Sequence, residues 1–205
     1  MRTAKVSKLV AHCAQGFAAS WLALFLTAGS AVALELEILL QSQALEGRRE
    51  IAFEERRFIK SVTTPIVSRG HFVFQPPDRL TKIVEEPRRE SAVIEGDRLT
   101  ILDAEDREVT SIDLWLQPDL RLIFASIRGV LKGDPEVLRS AFWVSLHGQL
   151  EDWSLQLSPK VDESKTRIQH IAISGHATGP QSFEVRETNG NRAQIEFLLD
   201  APKSQ

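Results

Sequence analysis

Ser174-Gly175-His176 sets a nucleophile two residues from a base, and a hydroxyl near an imidazole is the minimum that covalent acyl transfer asks of a chain. Neighbours in a turn rarely face each other. No serine has glycines two residues to either side, the pattern that presents a hydrolase nucleophile on a sharp turn. His176 is expected to be a loop residue. Metal chemistry has no better footing, because His71, His147, His170 and His176 are scattered without paired ligand spacing. Asp103, Glu105 and Asp106 bring carboxylates together but lack the glycine-centred loop of a calcium site, which makes them a solvated turn. Glu54-Glu55 and Glu85-Glu86 lie on strand-like segments, so each pair splits its carboxylates between opposite faces and cannot work on one bond. Gly129, Gly133 and Gly148 are isolated, unlike the glycines of a phosphate loop. The chain is therefore expected to be no enzyme and to use no metal or cofactor.

The first residues say where it works. Arg2, Lys5 and Lys8, an apolar run from Phe17 to Leu26 and the small residues of Ala31-Val32-Ala33 follow the order of a secretory signal. Ala14 to Ala33 is uncharged and nearly long enough to anchor in a bilayer, but the short apolar core and the Ala31/Ala33 pair favour removal. Residues 1–33 are thus expected to be a cleaved signal peptide, 34–200 one exported domain and 201–205 a loose tail. Cys13, the single cysteine, precedes the apolar run, whereas a lipidated cysteine would follow it. The mature chain then has neither lipid anchor nor disulfide. The leader carries three basic residues and no acid, so its removal turns 25 basic against 28 acidic into 22 against 28, a net charge of −6. A negative surface disfavours nucleic acid as a partner, since that binding rests on neutralised phosphates. Arg48-Arg49, Arg56-Arg57 and Arg88-Arg89 each adjoin glutamates and are expected to be solvated mixed-charge faces.

The elements that must shape this chain follow from its apolar periods. Glu35 to Glu46 contains helix formers without Gly or Pro and stops at Gly47, so a helix is expected there. Beyond it the period becomes strand-like: Ile51 to Ile59, Pro65 to Phe74, Leu80 to Val84, Ser91 to Ile94, Leu99 to Leu102 and Val109 to Leu114. Pro76-Pro77-Asp78 and Glu95-Gly96-Asp97 supply turns. Pro118 then opens a segment in which Leu120, Ile123, Phe124, Ile127 and Leu131 recur at helical spacing as far as Gly133. Asp134-Pro135-Glu136 caps a second short helix through Arg139. Strands return at Phe142 to Leu146, Trp153 to Leu157, Ile168 to Ser174, Phe183 to Glu187 and Ala193 to Leu199, the last two joined through Thr188-Asn189-Gly190. Ten to eleven strands linked by short turns imply an antiparallel meander that curls into an open or closed barrel, with the helices covering one side. Trp115 and Trp153 are expected in the core, with Trp143 on the face opposite Val144.

Several stretches, taken in order, resemble the LolA family of periplasmic lipoprotein carriers. They are Phe53-Glu54-Glu55, the run from Gly70 through Phe72, Phe74 and Pro76-Pro77-Asp78-Arg79-Leu80 to Pro87, Gly96-Asp97-Arg98-Leu99, the Leu120 to Leu131 helix with Gly133-Asp134, Trp153 to Lys160, and the Glu187 to Asn191 hairpin with its final strand. The resemblance spans about Glu35 to Leu199. It implies an incomplete antiparallel β-barrel covered by a few short helices, around an apolar cavity for the acyl chains of a lipoprotein or lipid. It also implies an inner-membrane donor complex and an outer-membrane acceptor as partners. LolB, the outer-membrane receptor, shares the architecture but is lipidated, and the missing lipobox argues against that role. Related folds also occur in periplasmic sensors, so a non-transporting sensor or adaptor that binds a membrane protein is the alternative. One departure stands out: the family carries a functional arginine immediately before the proline closing the second strand, and here Pro76 precedes Pro77.

Each buried methylene is worth about 0.8 kcal/mol, so a long acyl chain crossing water unshielded faces a cost on the order of 10 kcal/mol. Residues expected to provide the shield are Leu120, Ile123, Phe124 and Ile127 from the helical cover, with Phe72, Phe74, Leu80, Val144 and Leu146 from the strands. Any one of them fits ordinary core packing equally well.

Overall fold

The structure, a computed structural model, describes residues 35–198. The expected signal peptide over 1–33 and tail over 201–205 lie outside the described residues. Helix α1 (Leu36–Gln43) comes first, followed by strands β1 (Arg49–Phe58), β2 (Ile66–Gln75), β3 (Arg79–Glu86), β4 (Glu90–Glu95), β5 (Arg98–Leu102) and β6 (Glu108–Asp113). A 3-10 turn (Leu114–Leu116) leads into α2 (Pro118–Leu131) and α3 (Pro135–Ala141). Strands β7 (Phe142–Gln149), β8 (Asp152–Pro159), β9 (Ile168–His176), β10 (Gly179–Glu187) and β11 (Arg192–Leu198) complete the described residues.

All eleven strands form one antiparallel sheet in the order β6-β5-β4-β3-β2-β1-β11-β10-β9-β8-β7. The sheet is open, because β6 and β7 each have a neighbour on one side only. It is two meanders rather than the single one expected: β1–β6 and β7–β11 are stitched together by the first and last strands, with Phe53 opposite Phe197 and Glu55 opposite Ile195. The reason lies in the helical insert. Helices α2 and α3 carry the chain from one edge strand to the opposite edge, so the second meander must run back towards β1.

Local sequence fixes both helices of the crossover. Pro118 and Pro135 occupy first helical turns, where a missing N–H is no loss. The Asp134 side chain accepts from the amides of Glu136 at 3.0 Å and Val137 at 3.2 Å. Gly129 lets α2 and α3 touch, since a β-carbon there would lie 2.4 Å from Leu138 Cδ2. Gly133 ends α2 with φ +67°, backbone that favours glycine, and a β-carbon on it would sit 2.9 Å from the Leu40 carbonyl oxygen of α1.

The apolar interior has two centres. Around α1, α3 and β7–β11, Leu39, Leu40, Leu138, Phe142, Leu155 and Ile171 are buried together. Beneath α2, Phe74, Leu80, Ile94, Leu99 and Leu131 form a second group with Leu114. Trp153 is buried, and its indole N–H donates to the His176 carbonyl at 3.0 Å. Trp115 is 63 % exposed, contrary to expectation. Leu114 takes the inward place on the 3-10 turn, while Trp115 donates to Asp97 Oδ2 at 3.1 Å and lies under the Arg121 guanidinium.

Candidate functional site

Strand alternation sends one residue in two towards the helices. Across β1 to β5, one such cross-strand row runs Ile51, Phe72, Lys82, Ala92, Ile101, each opposite the next in register. Helix α2 meets this side with Leu120, Ile123, Phe124, Ile127 and Val130, while Leu122 and Ser126 are buried on its other flank. Between sheet and helix lies a hollow of two chambers. The outer, about 410 Å³, is walled by Leu120, Ile123, Phe124, Ala92 and Ile101. The inner, about 50 Å³, is lined by apolar atoms alone, including those of Phe74, Leu80 and Leu131. Ile127, Phe72, Phe183 and Ile195 line both and form the partition. Phe72 is held in place by Phe53 at 4.8 Å and Phe197 at 5.9 Å between ring centroids.

The proposed shield residues thus fall into two sets. Phe72, Phe74, Leu80, Leu120, Ile123, Phe124 and Ile127 line one chamber or both. Val144 and Leu146 line neither, because β7 is the edge strand beside α3 and both side chains pack on the first of the two apolar groups.

The outer chamber also has a polar sector that the charge pattern did not lead one to expect. Glu55, expected on a solvated mixed-charge face, is 4 % exposed. It pairs with Lys82 and, at 2.8 Å, with Arg57, and accepts from the Ser68 hydroxyl at 3.2 Å. Burial alone would push its carboxyl up; the charges of Lys82 and Arg57, with their hydrogen bonds, overcome this and hold it below the usual glutamate value. Burial also draws the Lys82 ammonium below the ordinary lysine value, with Glu55 opposing. Lys82 Nζ lies 5.1 Å from the Phe53 ring centre and 6.0 Å from that of Phe72. The signal for this sector was parity: Glu55 alternates in step with Ile51 and Phe53, and Lys82 with Leu80 and Val84.

Polar contacts fasten both ends of α2. At its start, Asp119 Oδ1 accepts from the Thr166 hydroxyl at 2.6 Å and the Arg167 amide at 2.9 Å, while Oδ2 accepts from Arg167 Nε at 3.0 Å. Partial burial would raise this carboxyl, but those donors bring it below its ordinary value. Towards the other end, Arg128 pairs with Asp78 at 3.0 Å and donates to the Gly96 carbonyl. Asp78 lies in the turn that holds Pro76, where the resemblance implies an arginine. Arg79 does not take over that place, since it pairs at 3.2 Å with Glu95 at the exposed end of β4.

Ser174 and His176 form no hydrogen bond with each other, whereas Ser145 Oγ and His147 Nε2 lie 3.0 Å apart on exposed β7. His176 closes β9 rather than sitting in a loop, and Ser174 shares a hydrogen bond of 2.7 Å with Ser182. Among the described residues no three His, Cys, Asp or Glu side chains gather as metal ligands, and no helix is long and apolar enough to cross a membrane.

Comparison with solved structures finds a LolA-superfamily protein of Nitrosomonas europaea, 10% identical over 83% of this chain and 96% of that one, with a TM-score of 0.42. It also finds the MucA/MucB complex of Pseudomonas aeruginosa, 12% identical over 82% of this chain and 59% of that one, TM-score 0.43. A putative outer membrane lipoprotein-sorting protein domain of Vibrio parahaemolyticus is 9% identical over 84% of this chain and 94% of that one, TM-score 0.40. No curated protein matches the chain. The family model described as "Outer membrane lipoprotein carrier protein LolA-like" matches residues 28–203. With residues 28–203 matched and an open eleven-stranded sheet under three helices among the described residues, the protein belongs to the LolA-like family.

Proposed function

We propose that this protein is a periplasmic carrier that shields the acyl chains of a lipoprotein or lipid in the hollow beneath α2 during transit towards the outer membrane. Residues 1–33 direct export and are removed, and residues 34–200 form the carrier. Cargo is taken from an inner-membrane donor and passed to an outer-membrane acceptor. The observation that carries this reading is the outer chamber of about 410 Å³, walled on one side by the apolar face of α2 and separated by Ile127 and Phe72 from an apolar inner chamber. Burying a chain there recovers about 0.8 kcal/mol per methylene, the driving force a carrier needs. Because α2 is fastened at its ends by polar contacts and along one flank by α3, widening of the hollow is a movement of the helical cover, freed at Asp119 or Arg128, rather than disruption of the sheet.

Two measurements test the reading together. Protein purified from a periplasmic extract is expected to hold acyl chains detectable by mass spectrometry, and delipidated protein to extract labelled lipid from vesicles. Strict absence of both rejects transport and favours a sensor or adaptor that presents a fixed surface to a membrane protein.

A further inference from the structure

We infer that the polar sector of the outer chamber is a head-group site, and that it selects amphiphiles whose acyl chain ends in an anion, a carboxylate or a phosphate. The inference rests on the carrier reading and narrows it to a class of cargo.

Three cations and three carboxylates line the outer chamber: Arg57, Lys82 and Arg192 against Glu55, Glu90 and Glu187. Their depth and engagement decide what an entering group meets. Glu55 is the deepest, with its side chain 5 % exposed, against 17 % for Lys82 and 58 % for Arg57. One carboxylate therefore stands behind two cations, an excess of one positive charge on the chamber side of the cluster. Glu187 is occupied by its own hairpin, accepting from the side-chain amides of Asn189 at 2.8 Å and Asn191 at 3.3 Å. Arg192 lies over the Phe58 ring and approaches Glu184 at 3.9 Å. Glu90 stands on the exposed start of β4 and adds a weak pull on Lys82.

Stability does not explain the cluster. An ion pair withdrawn from water is commonly no better than apolar side chains of the same volume. The row that holds Lys82 is otherwise Ile51, Phe72, Ala92 and Ile101, all apolar and all towards the helices. A lysine there leaves part of the chamber polar where a leucine would have completed the apolar wall. The same chamber thus offers an apolar face on α2 for a chain and two forward cations for its head, with low-dielectric walls that strengthen each charge-assisted hydrogen bond.

Displacement of a fluorescent apolar probe by hexadecanoate, hexadecyl phosphate and hexadecanol, each below its aggregation threshold, separates head from tail. Wild-type protein is expected to bind one or both anions about tenfold more tightly than the alcohol, the worth of one hydrogen bond to a charged group. Which anion binds better distinguishes carboxylate from phosphate. Lys82→Met is expected to bring the anions down to the level of the alcohol, Lys82→Arg to keep the preference, and Glu55→Gln to enlarge it. Arg57→Met, at an exposed side chain, gives a reduced preference and keeps the test alive should Lys82→Met fail to fold. Equal binding of anions and alcohol by the wild type, or a preference that survives both Lys82→Met and Arg57→Met, overturns the head-group site while leaving the carrier reading intact. Failure of all three ligands to bind overturns both.

Discussion

The two sides of this sheet use the same alternation of apolar residues and reach opposite ends. Over β7–β11, α1 and α3 press down until Leu39, Leu40, Leu138, Leu155, Leu157 and Ile171 are wholly inaccessible. Over β1–β5, α2 leaves Phe72, Ile101, Leu120, Ile123 and Phe124 only partly buried around the outer chamber. The difference lies in the cover. Gly129 and Gly133 let one flank of α2 close on α3 and α1, whereas the face of α2 that carries Leu120, Ile123 and Phe124 looks across the outer chamber, with polar contacts fastening the helix at its ends. Were the outer chamber of about 410 Å³ sealed and dry, it would cost about 10 kcal/mol. That is comparable to the whole stability of an ordinary domain. An opening to water and a polar sector relieve part of this cost.

Paired truncations should break this contrast if it is false. Leu138→Ala removes a fully buried side chain that Gly129 packs against, and is expected to cost about 3 kcal/mol in denaturant unfolding. Ile123→Ala, on the chamber wall, should cost about 1 kcal/mol because its side chain is only partly buried and borders space already open. Equal losses would mean that α2 packs as tightly as α3. Next in size is Gly129→Ala. Helix propensity favours alanine, but its β-carbon would overlap the rigidly placed Leu138, so a net loss of about 2 kcal/mol is expected. A stabilising result would show that α2 and α3 can separate without penalty.

Much of this contrast was legible from local pattern, and the rest depends on partners far away in sequence. The spacing of Leu120, Ile123, Phe124 and Ile127 defines one face of a helix whatever it meets, and Pro118 and Asp134-Pro135 mark where the two helices begin. That β1 pairs with β11, leaving β6 and β7 as unpaired edges, follows from where the crossover lands the chain, and no local period encodes it. The same limit hid the fate of Val144 and Leu146: alternation gives their face, but only the position of β7 under α3 takes them away from the hollow. Glu55 and Lys82 were missed for a different reason. Charge suggested solvent while parity pointed inward, and parity prevailed because each supplies the other's counter-ion. Trp115 went the other way, since a 3-10 turn has no period to reveal which of three consecutive large apolar residues turns inward.

The fastening of α2 sharpens the comparison at smaller energies. Asp119→Asn is expected to cost about 1 kcal/mol at neutral pH by weakening its charged bonds to Thr166 and Arg167. Because the folded-state carboxyl lies below its ordinary value of 3.8, the stability it adds is fully present above that value. It drains away as pH falls through the lowered one. The gap between wild type and Asp119→Asn in urea titrations should therefore be constant from neutral pH down to about 4 and narrow below it. If α2 is the movable cover, the variant also takes up lipid from vesicles faster. A gap that persists at the lowest pH would indicate that the carboxylate charge is not what secures the helix.

The smallest expected change in stability carries the clearest functional readout. Ala92 sits between Lys82 and Ile101 in the cross-strand row and borders the outer chamber, so Ala92→Leu should extend apolar atoms into the hollow without disturbing a neighbour. Added contacts are offset by lost side-chain freedom, and a gain of no more than about 0.5 kcal/mol is expected. Binding of an acyl-chain probe should nevertheless fall severalfold, because the leucine occupies volume the chain would use. A comparable enlargement on the closed side, Ala141→Leu beside the first apolar group, should instead destabilise by about 2 kcal/mol, since no comparable hollow is there to receive it. If Ala92→Leu destabilised as strongly, the two sides of the sheet would share one packing density, and the hollow could not be the place where cargo resides.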